Sequence, residues 1–424
     1  MPDSDETFKP DWTTLPPPST PAGGENPAEK NSRPNGQKNI PTEEVPSVEG
    51  TRRRLDFLQS TLQKYPAFLA GTARFSEPST LEGNIENYIG MAQVPTGIIG
   101  PLRVIGNDAQ GDFYVPLATT EGALVASYQR GAKACSLAGG VTSVCLAEGV
   151  QRSPLFKFND LRYLMEFLAW ALGQVGTFEE ITRQQSRYAR LESVKTNIEG
   201  NHLILTFEYH TGDAAGQNMV TLCTDAICQY ILAEAPVKPE FWFIEGNYSG
   251  DKKATALSFS NVRGKKVTAE IELPQVLVSD LLKTTPEAIA QYWRSSTLGT
   301  IQSGAIGAQG HYANGLAALF IATGQDVTCV SEAAVGITRM EVTHDGNLYA
   351  SVTLPNLIVG TVGGGTSLPT QRECLELLDC YGAGKAKKLA EICGATVLAG
   401  ELSIAAALSA GHFTSAHQKY GRKK

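Results

Sequence analysis

The chain has 424 residues, 42% of them hydrophobic and 19% charged, with a formal net charge of -7. That length allows two or three domains, and that composition belongs to a globular protein with a sizeable core. The acidic balance argues against a general nucleic-acid binder, which needs a basic face to neutralise phosphates.

Residues 1–50 hold ten of the 22 prolines and nine acidic against four basic side chains, with almost no large apolar residues. Such a segment cannot bury enough surface to offset its ordering entropy, so a disordered leader is expected there. The N-terminus is acidic and polar rather than basic and then apolar, so no signal peptide is expected and the chain reads as cytoplasmic. An anchor upstream of it stays open. Leu55, Leu58 and Leu62 beside Arg52, Arg53 and Arg54 then predict a short amphipathic helix from Thr51 to about Tyr65, within an N-terminal segment 51–85.

The middle of the chain carries the clearest pattern. Pro154–Phe158 reads as a strand with Asp160 as the N-cap of a following helix, marked by Leu161, Leu164, Phe167, Leu168, Leu172 and Val175. Strands Ser193–Ile198 and His202–Tyr209 follow, joined by Glu199-Gly200-Asn201. A second helix is signalled by Met219, Leu222, Ala226, Ile227, Tyr230 and Ile231, and Phe241–Ile244 closes the unit. The order β-α-β-β-α-β predicts a small ferredoxin-like domain over 154–244.

Lys266–Leu273 alternates like a half-buried strand, while Leu316–Thr323 and Leu402–Ala410 have the uncharged, alanine-rich character of buried helices. Ser295–Gln325 is uncharged, but its polar residues and six glycines keep it short of the ~18 apolar residues of a span. It reads as a Gly-rich segment buried in protein. The fold expected is α+β: a large helix-rich domain, 86–153 and 245–424, interrupted by the ferredoxin-like unit.

Eight cysteines without a CxxC pair read as free thiols, and no HExxH occurs among the six histidines, so no metal is expected. No GxGxxG follows a strand, and Gly382-Ala383-Gly384-Lys385 is a turn fragment without P-loop spacing. Two stretches suit a dinucleotide better. Asp213, Ala214, Ala215, Gly216, Gln217 and Asn218 stand between a strand and a helix start, where small residues let a pyrophosphate approach free N–H groups. Gly360 to Thr366, with Gly363 and Gly364, could form a backbone nest. Among titratable groups, Glu121 lies in a neutral stretch that would desolvate it and raise its pKa. Asp326 ends the uncharged run, Asp251-Lys252-Lys253 follows a Gly-rich loop, and His417 lies five residues past His412. Each alone reads equally as a cap, a surface pair or a solvated charge.

Together they carry a resemblance. ENYIG (86–90), ATTEGALVAS (118–127), DAAGQNM (213–219), GNYSGDKKA (246–254), GQD (324–326), GTVGGGT (360–366) and LAGELSIAAALSAGH (398–412) stand in the order found in 3-hydroxy-3-methylglutaryl-CoA reductase. The sequence resembles the class I catalytic domain of that family over roughly residues 80–422. The resemblance implies reduction of the thioester to mevalonate and CoA with two NADPH per turnover, CoA being part of the substrate. Residue by residue, it implies Lys252 as oxyanion stabiliser, Glu121 as the acid at the carbonyl oxygen, Asp326 as their tuner and His417 as proton donor to the departing thiolate. It places the cofactor at Asp213, Ala215, Gly216, Gln217, Asn218, Gly363 and Gly364, with Ser186, Arg187 and Tyr188 at the 2′-phosphate. It places substrate and CoA at Ser127, Arg130, Arg152, Asp251, Lys253, Lys283, Arg294, His311 and Asn314. It also implies a homodimer or tetramer with the active site at the subunit interface, Glu86–Ile89 resembling a dimerisation segment, and neither nucleic acid nor membrane as partner. NAD-linked mevalonate breakdown and a silent CoA-ester-binding protein are the alternatives; Arg187 and the four intact catalytic positions speak against them.

The chain departs from the family at Glu245, where Ser is usual, close to the expected place of the substrate's terminal carboxylate. Two carboxylates there would repel unless one is protonated or Glu245 turns away, paired with a neighbouring cation and out of the pocket. Arg294 stands for a usual Lys, Gln129 for an Asn near the CoA phosphates, and Lys423 where regulated relatives carry a phosphorylatable Ser.

Overall fold

The computed structural model describes residues 37–43 and 46–411. His412, His417, Lys423 and most of the expected leader lie outside the described residues. The chain divides after Gln37, and the fold is that of the unit beginning at Lys38. Ile40 is buried and Tyr114 donates to the Lys38 carbonyl at 2.7 Å, so one apolar side chain anchors part of the stretch expected to be a leader.

Helix α1 (Val48–Leu62) begins three residues before the expected start, because Ser47 accepts from the Gly50 amide as N-cap. Strands β1 (Thr96–Ile105) and β2 (Gln110–Ala118) form an antiparallel hairpin before helix α2 (Leu124–Leu137). Strand β3 (Val141–Arg152) leads into β4 (Leu155–Lys157), then α3 (Leu161–Leu172), α4 (Val175–Gln185), β5 (Arg190–Glu199), β6 (His202–His210), α5 (Gln217–Glu234) and β7 (Phe241–Phe243). Strand β8 (Gly264–Leu273) is followed by the single turn α6 (Gln275–Leu277), α7 (Pro286–Ser303), α8 (Tyr312–Thr323), α9 (Val330–Ala333), β9 (Ile337–Val342), β10 (Leu348–Leu357), α10 (Pro369–Leu377) and α11 (Ala386–Ser409).

Strands β7-β4-β6-β5 pair antiparallel in that order, the ferredoxin-like arrangement. Asp160 caps α3 as its position suggested, accepting from the Arg162 and Tyr163 amides. The single helix expected through Val175 is two helices, because Gly173 ends α3 and Val175 starts α4. Phe156, Phe158, Phe167, Phe178, Phe207 and Tyr209 fill the core beneath these strands.

A second, larger core surrounds α11, which is buried along nearly its whole length against α2, α8, β8 and β10. Its glycines and alanines permit that depth. A Cβ at Gly131 would overlap the Ala399 carbonyl, and one at Gly400 or Gly315 would overlap the Tyr128 ring. The uncharged run 295–325 divides: α8 is buried as expected, but α7 presents Leu298 (63% exposed) and Ile301 (69%) outward. The pattern missed this because an uncharged helix looks the same whether one face or all faces are covered.

Strand β3 joins the two cores. Its first part pairs with β8 and β1, while Val150–Arg152 pair with β6; β4 then continues along the same edge of β6 after Ser153-Pro154. Arg152, at the end of β3, meets Glu245 and Asp251 of the loop that follows β7.

Candidate active site

Lys252 follows β7 on a loop and takes the left-handed conformation (φ 57°) that a residue with a side chain rarely adopts. A buried network holds it there. Its amide donates to Glu332 Oε1 at 3.1 Å; Glu332 Oε2 accepts from Arg263 Nε at 2.6 Å; Arg263 Nη2 reaches Asp251 Oδ1 at 2.6 Å. Arg263 and Glu332 are both buried, and burial pushes the Glu332 carboxyl up despite the Arg263 charge beside it. Burial also pushes Asp251 up, but Arg263 and Arg152 outweigh it and hold it below the ordinary carboxylate range.

The Lys252 ammonium lies 3.0 Å from Asp326 Oδ2. Asp326 stands after α8 and also accepts from the Thr328 amide (3.0 Å) and hydroxyl (2.6 Å). These donors overcome partial burial and keep its carboxyl below the usual value, while its hydrogen bond keeps the Lys252 ammonium above the usual lysine range. Both groups are therefore charged at neutral pH. Lys253 bends back, its ammonium donating to the Asp251 carbonyl at 2.9 Å.

Arg152, at the end of β3, gives one nitrogen, Nη1, to both Asp251 Oδ2 (3.1 Å) and Glu245 Oε2 (3.2 Å), and Nη2 reaches the Gln217 carbonyl at 3.4 Å. Glu245 further accepts from the Ser153 amide (3.3 Å), the Ser249 hydroxyl (3.0 Å) and the Tyr248 amide (3.1 Å). It is tied to a cation and to its own loop, the second of the two situations its position allowed.

The two candidate dinucleotide loops meet. The Thr361 amide donates to the Asp213 carbonyl at 2.8 Å, and a Cβ at Gly360 would overlap the Ala215 amide. The Asp213 carboxylate accepts from the Gly384, Lys385 and Ala386 amides (2.7, 3.0 and 3.0 Å), capping α11. The GAGK fragment is thus a helix start, with Asp213 as its cap from a distance. Gly216 (φ 81°) precedes α5, whose first turn carries no side-chain cap, leaving the amides of Gln217 and Asn218 as orphan donors. Gly363 (φ 75°) and Gly364 (φ 55°) face open space into which a Cβ would project. Gln217 reaches Cys329 Sγ at 3.0 Å, and Gln325 accepts from the Gly360 amide at 2.8 Å, joining both loops to the Asp326 turn. Ser186 accepts from the Tyr188 and Ala189 amides, which leaves Arg187 and Tyr188 exposed beside it.

Glu121 stands elsewhere. Asn314 Nδ2 donates to its Oε2 at 2.8 Å, at the N-terminal end of α8, and Glu121 is exposed rather than desolvated as expected. Asp326 lies beyond the other end of that helix, about 15 Å away from the rise per residue of an α-helix. The neutral residues around Glu121 are small, and too few of them cover it within one chain. His311 lies near, donating from Nε2 to the Gly400 carbonyl at 2.8 Å with its amide on Glu401.

Ser127 and Arg130 on α2 both meet Ser403 of α11, at 2.9 Å (Oγ–Oγ) and 3.1 Å (Nε–Oγ). Gln129 clips the backbone of Gly100 with both its amide atoms (2.6 and 2.9 Å), a structural role within the strand hairpin. Lys283 and Arg294 are exposed and lie apart from the Lys252 cluster in sequence and element. Glu332, Arg263, Thr328, Gln325 and Ser403 were not singled out from the sequence. A lone Arg or Glu carries no signal of burial until its partner is known.

A family model described as hydroxymethylglutaryl-coenzyme A reductase matches residues 50–422. A 3-hydroxy-3-methylglutaryl-coenzyme A reductase of Pyrococcus horikoshii is 45% identical over 82% of this chain and 86% of its own length. The enzyme of the same name from Methanocaldococcus jannaschii is 44% identical with the same coverages. A solved class II 3-hydroxy-3-methylglutaryl-CoA reductase from Streptococcus pneumoniae, bound to NADPH, superposes with a TM-score of 0.68 at 20% identity, covering 86% of this chain and 97% of that one. That likeness shows the α+β fold. The expected class I type gains no support from these matches, since the solved relative is of class II. With a family model spanning most of the chain and relatives well above a third identical, the chain belongs to the hydroxymethylglutaryl-coenzyme A reductase family.

Proposed function

We propose that this chain reduces 3-hydroxy-3-methylglutaryl-CoA to mevalonate and CoA with NADPH. The observation that carries the reading is the Lys252 ammonium, held charged by Asp326 and joined through the Asp326 turn to two loops fit for a dinucleotide. In this reading the unit 154–244 carries the dinucleotide and 86–153 with 245–424 the acyl-CoA. The orphan amides at the start of α5, the positive-φ glycines Gly363 and Gly364 and the exposed Arg187 suit a pyrophosphate and a 2′-phosphate. NADPH, when bound, supplies the hydride for each of the two reductions.

The residues of the chain handle charge and protons. Lys252 faces the thioester oxygen and stabilises the negative charge that develops on it, and Asp326 fixes that ammonium in position. Asp251, Arg152 and Lys253 form the acyl end of the site. Arg130 and Lys283 serve CoA. His417, outside the described residues, protonates the departing thiolate, a task suited to a group titrating near neutrality. Glu121 protonates the carbonyl oxygen. Its place at the far end of α8 from Asp326 supports a site completed by a second copy of the chain, so a dimer or a larger even assembly is part of the reading. All eight cysteines are free, which supports work in a reducing compartment such as the cytoplasm.

The test follows NADPH absorbance on addition of 3-hydroxy-3-methylglutaryl-CoA while free thiol is titrated. Two NADPH consumed per thiol released is the expected result. No consumption by the folded protein overturns the reading, and reduction of NAD by mevalonate and CoA in preference to NADP would favour the catabolic direction.

A further inference from the structure

Glu245 is a carboxylate placed where the reading above brings a second carboxylate, that of the acyl group. Its two oxygens are already engaged. Oε1 accepts from the Tyr248 amide at 3.1 Å, and Oε2 accepts from Ser153, Ser249 and Arg152. The Arg152 guanidinium is the cation of this corner, buried to 7% exposure, and its Nη1 is divided between Glu245 and Asp251. Asp251 is in turn shared with Arg263, which also faces Glu332. Arg152 is therefore neutralised before any substrate arrives. One of its donors, Nε, is buried with no hydrogen-bond partner among the described residues.

We infer that Glu245 is a specificity-determining residue of the acyl end, acting through Arg152, and that it narrows the preference of this end for acyl groups ending in a carboxylate over uncharged ones. The inference rests on the proposed function, since that reading brings the acyl group to Arg152. A guanidinium facing two carboxylates offers less to a third than one facing a single carboxylate, because like charges nearby oppose each other. Glu245 also closes the loop that leads to Lys252, so its two tasks must be separated. A Gln at this position removes the charge and keeps one acceptor, for the Tyr248 amide, while its NH2 replaces the oxygen that takes the Ser153, Ser249 and Arg152 donors. A Ser removes both.

The experiment is titration calorimetry of the full-length protein, its Glu245→Gln and its Glu245→Ser variants, with 3-hydroxy-3-methylglutaryl-CoA, with 3-hydroxy-3-methylbutyryl-CoA and with CoA alone. Removing the charge should tighten the first ligand by about tenfold or more, the range of a hydrogen bond to a charged group, and change the other two by less than about twofold. In turnover the same variants should show the effect on KM for the acyl-CoA rather than on kcat. Equal changes for charged and uncharged acyl groups, no change, weaker binding of the charged ligand or no binding by any form overturns the inference. If Glu245→Ser loses its melting transition, Glu245→Gln decides alone. Absence of NADPH oxidation by the parent, with the calorimetric contrast intact, overturns the proposed reaction and leaves the role of Glu245 standing.

Discussion

The Lys252 amide donates to Glu332 Oε1 at 3.1 Å, so a fully buried carboxylate fixes the backbone beneath an ammonium that is nearly half exposed. The strained conformation of Lys252 is sustained by the core, not by its own loop. Positioning of this group is thereby coupled to the stability of the network around Arg263.

Glu332→Gln should expose that coupling. It leaves the Arg263 charge short of a partner, and breaking one side of a buried pair costs about 3–5 kcal/mol. Burial holds the Glu332 carboxyl above its ordinary value, so its proton is bound more tightly in the folded state. The ionised form is therefore the costly one: lowering the pH through the raised folded value protonates the parent, adds to its stability and widens its gap to the variant, which has no proton to gain at this position. Urea unfolding at pH 7 and pH 4.5 measures both. A gap below about 1 kcal/mol at pH 7 would show that the pair is not what holds the loop.

Lys252→Ala should lower kcat for the thioester by at least about 10²–10³, the cost of losing one oxyanion donor. NADPH binding, followed by fluorescence, should persist. Turnover within fivefold of the parent would remove Lys252 from the chemistry.

Arg187→Ala separates the two cofactors. The exposed guanidinium can pair with a 2′-phosphate that only NADPH carries, and such a charge-assisted pair is worth about 1.5–3 kcal/mol. KM for NADPH should rise roughly 10- to 150-fold while KM for NADH barely moves. Parallel losses for both would make Arg187 a structural residue.

Asp379 gives a prediction about acid. Hydrogen bonds from Lys385 and Lys388 hold its carboxyl at about 2, against an ordinary 3.8. A depressed folded value means that the stabilisation is full above the unfolded value and is lost as pH falls from about 4 toward 2. Asp379 is well exposed, so screening limits the gain to about 1 kcal/mol or less. Asp379→Asn should melt slightly below the parent at pH 6, with the difference shrinking at pH 3 and in 1 M salt. A difference that is constant across these conditions would assign the effect to the helix junction and not to the ion pairs.

The legible parts of this chain were those whose signal is local. The strand pattern of Lys266–Leu273, the hairpin turn at Gly200 and the Asp160 cap each depend on neighbours within a few residues, and each stands in the structure. The split at Gly173 escaped because apolar spacing continues across it. The site was legible only in pieces. The sequence around Asp213 points to a dinucleotide loop beside its own helix start, yet its carboxylate closes a helix that begins 173 residues later. Arg263 and Glu332 escaped altogether, because a buried ion pair is written in two distant places with nothing at either to announce it. Glu121 was read as desolvated, which is a property of whatever covers it rather than of its neighbours in sequence.

Strand β3 has a further consequence. Its first residues pair with β8 and its last with β6, so one continuous ribbon is ploughed into both halves of the molecule. The ferredoxin-like half is thus grafted on, not hung from a tether, and its rocking would have to twist a strand against neighbours on each side. Melting followed by tryptophans in that half and by circular dichroism of the whole should then trace one curve. A lineage that altered the ferredoxin-like half would inherit the constraint as well: any change in the sheet there is transmitted, along a few residues of extended backbone, to Arg152 at the end of β3.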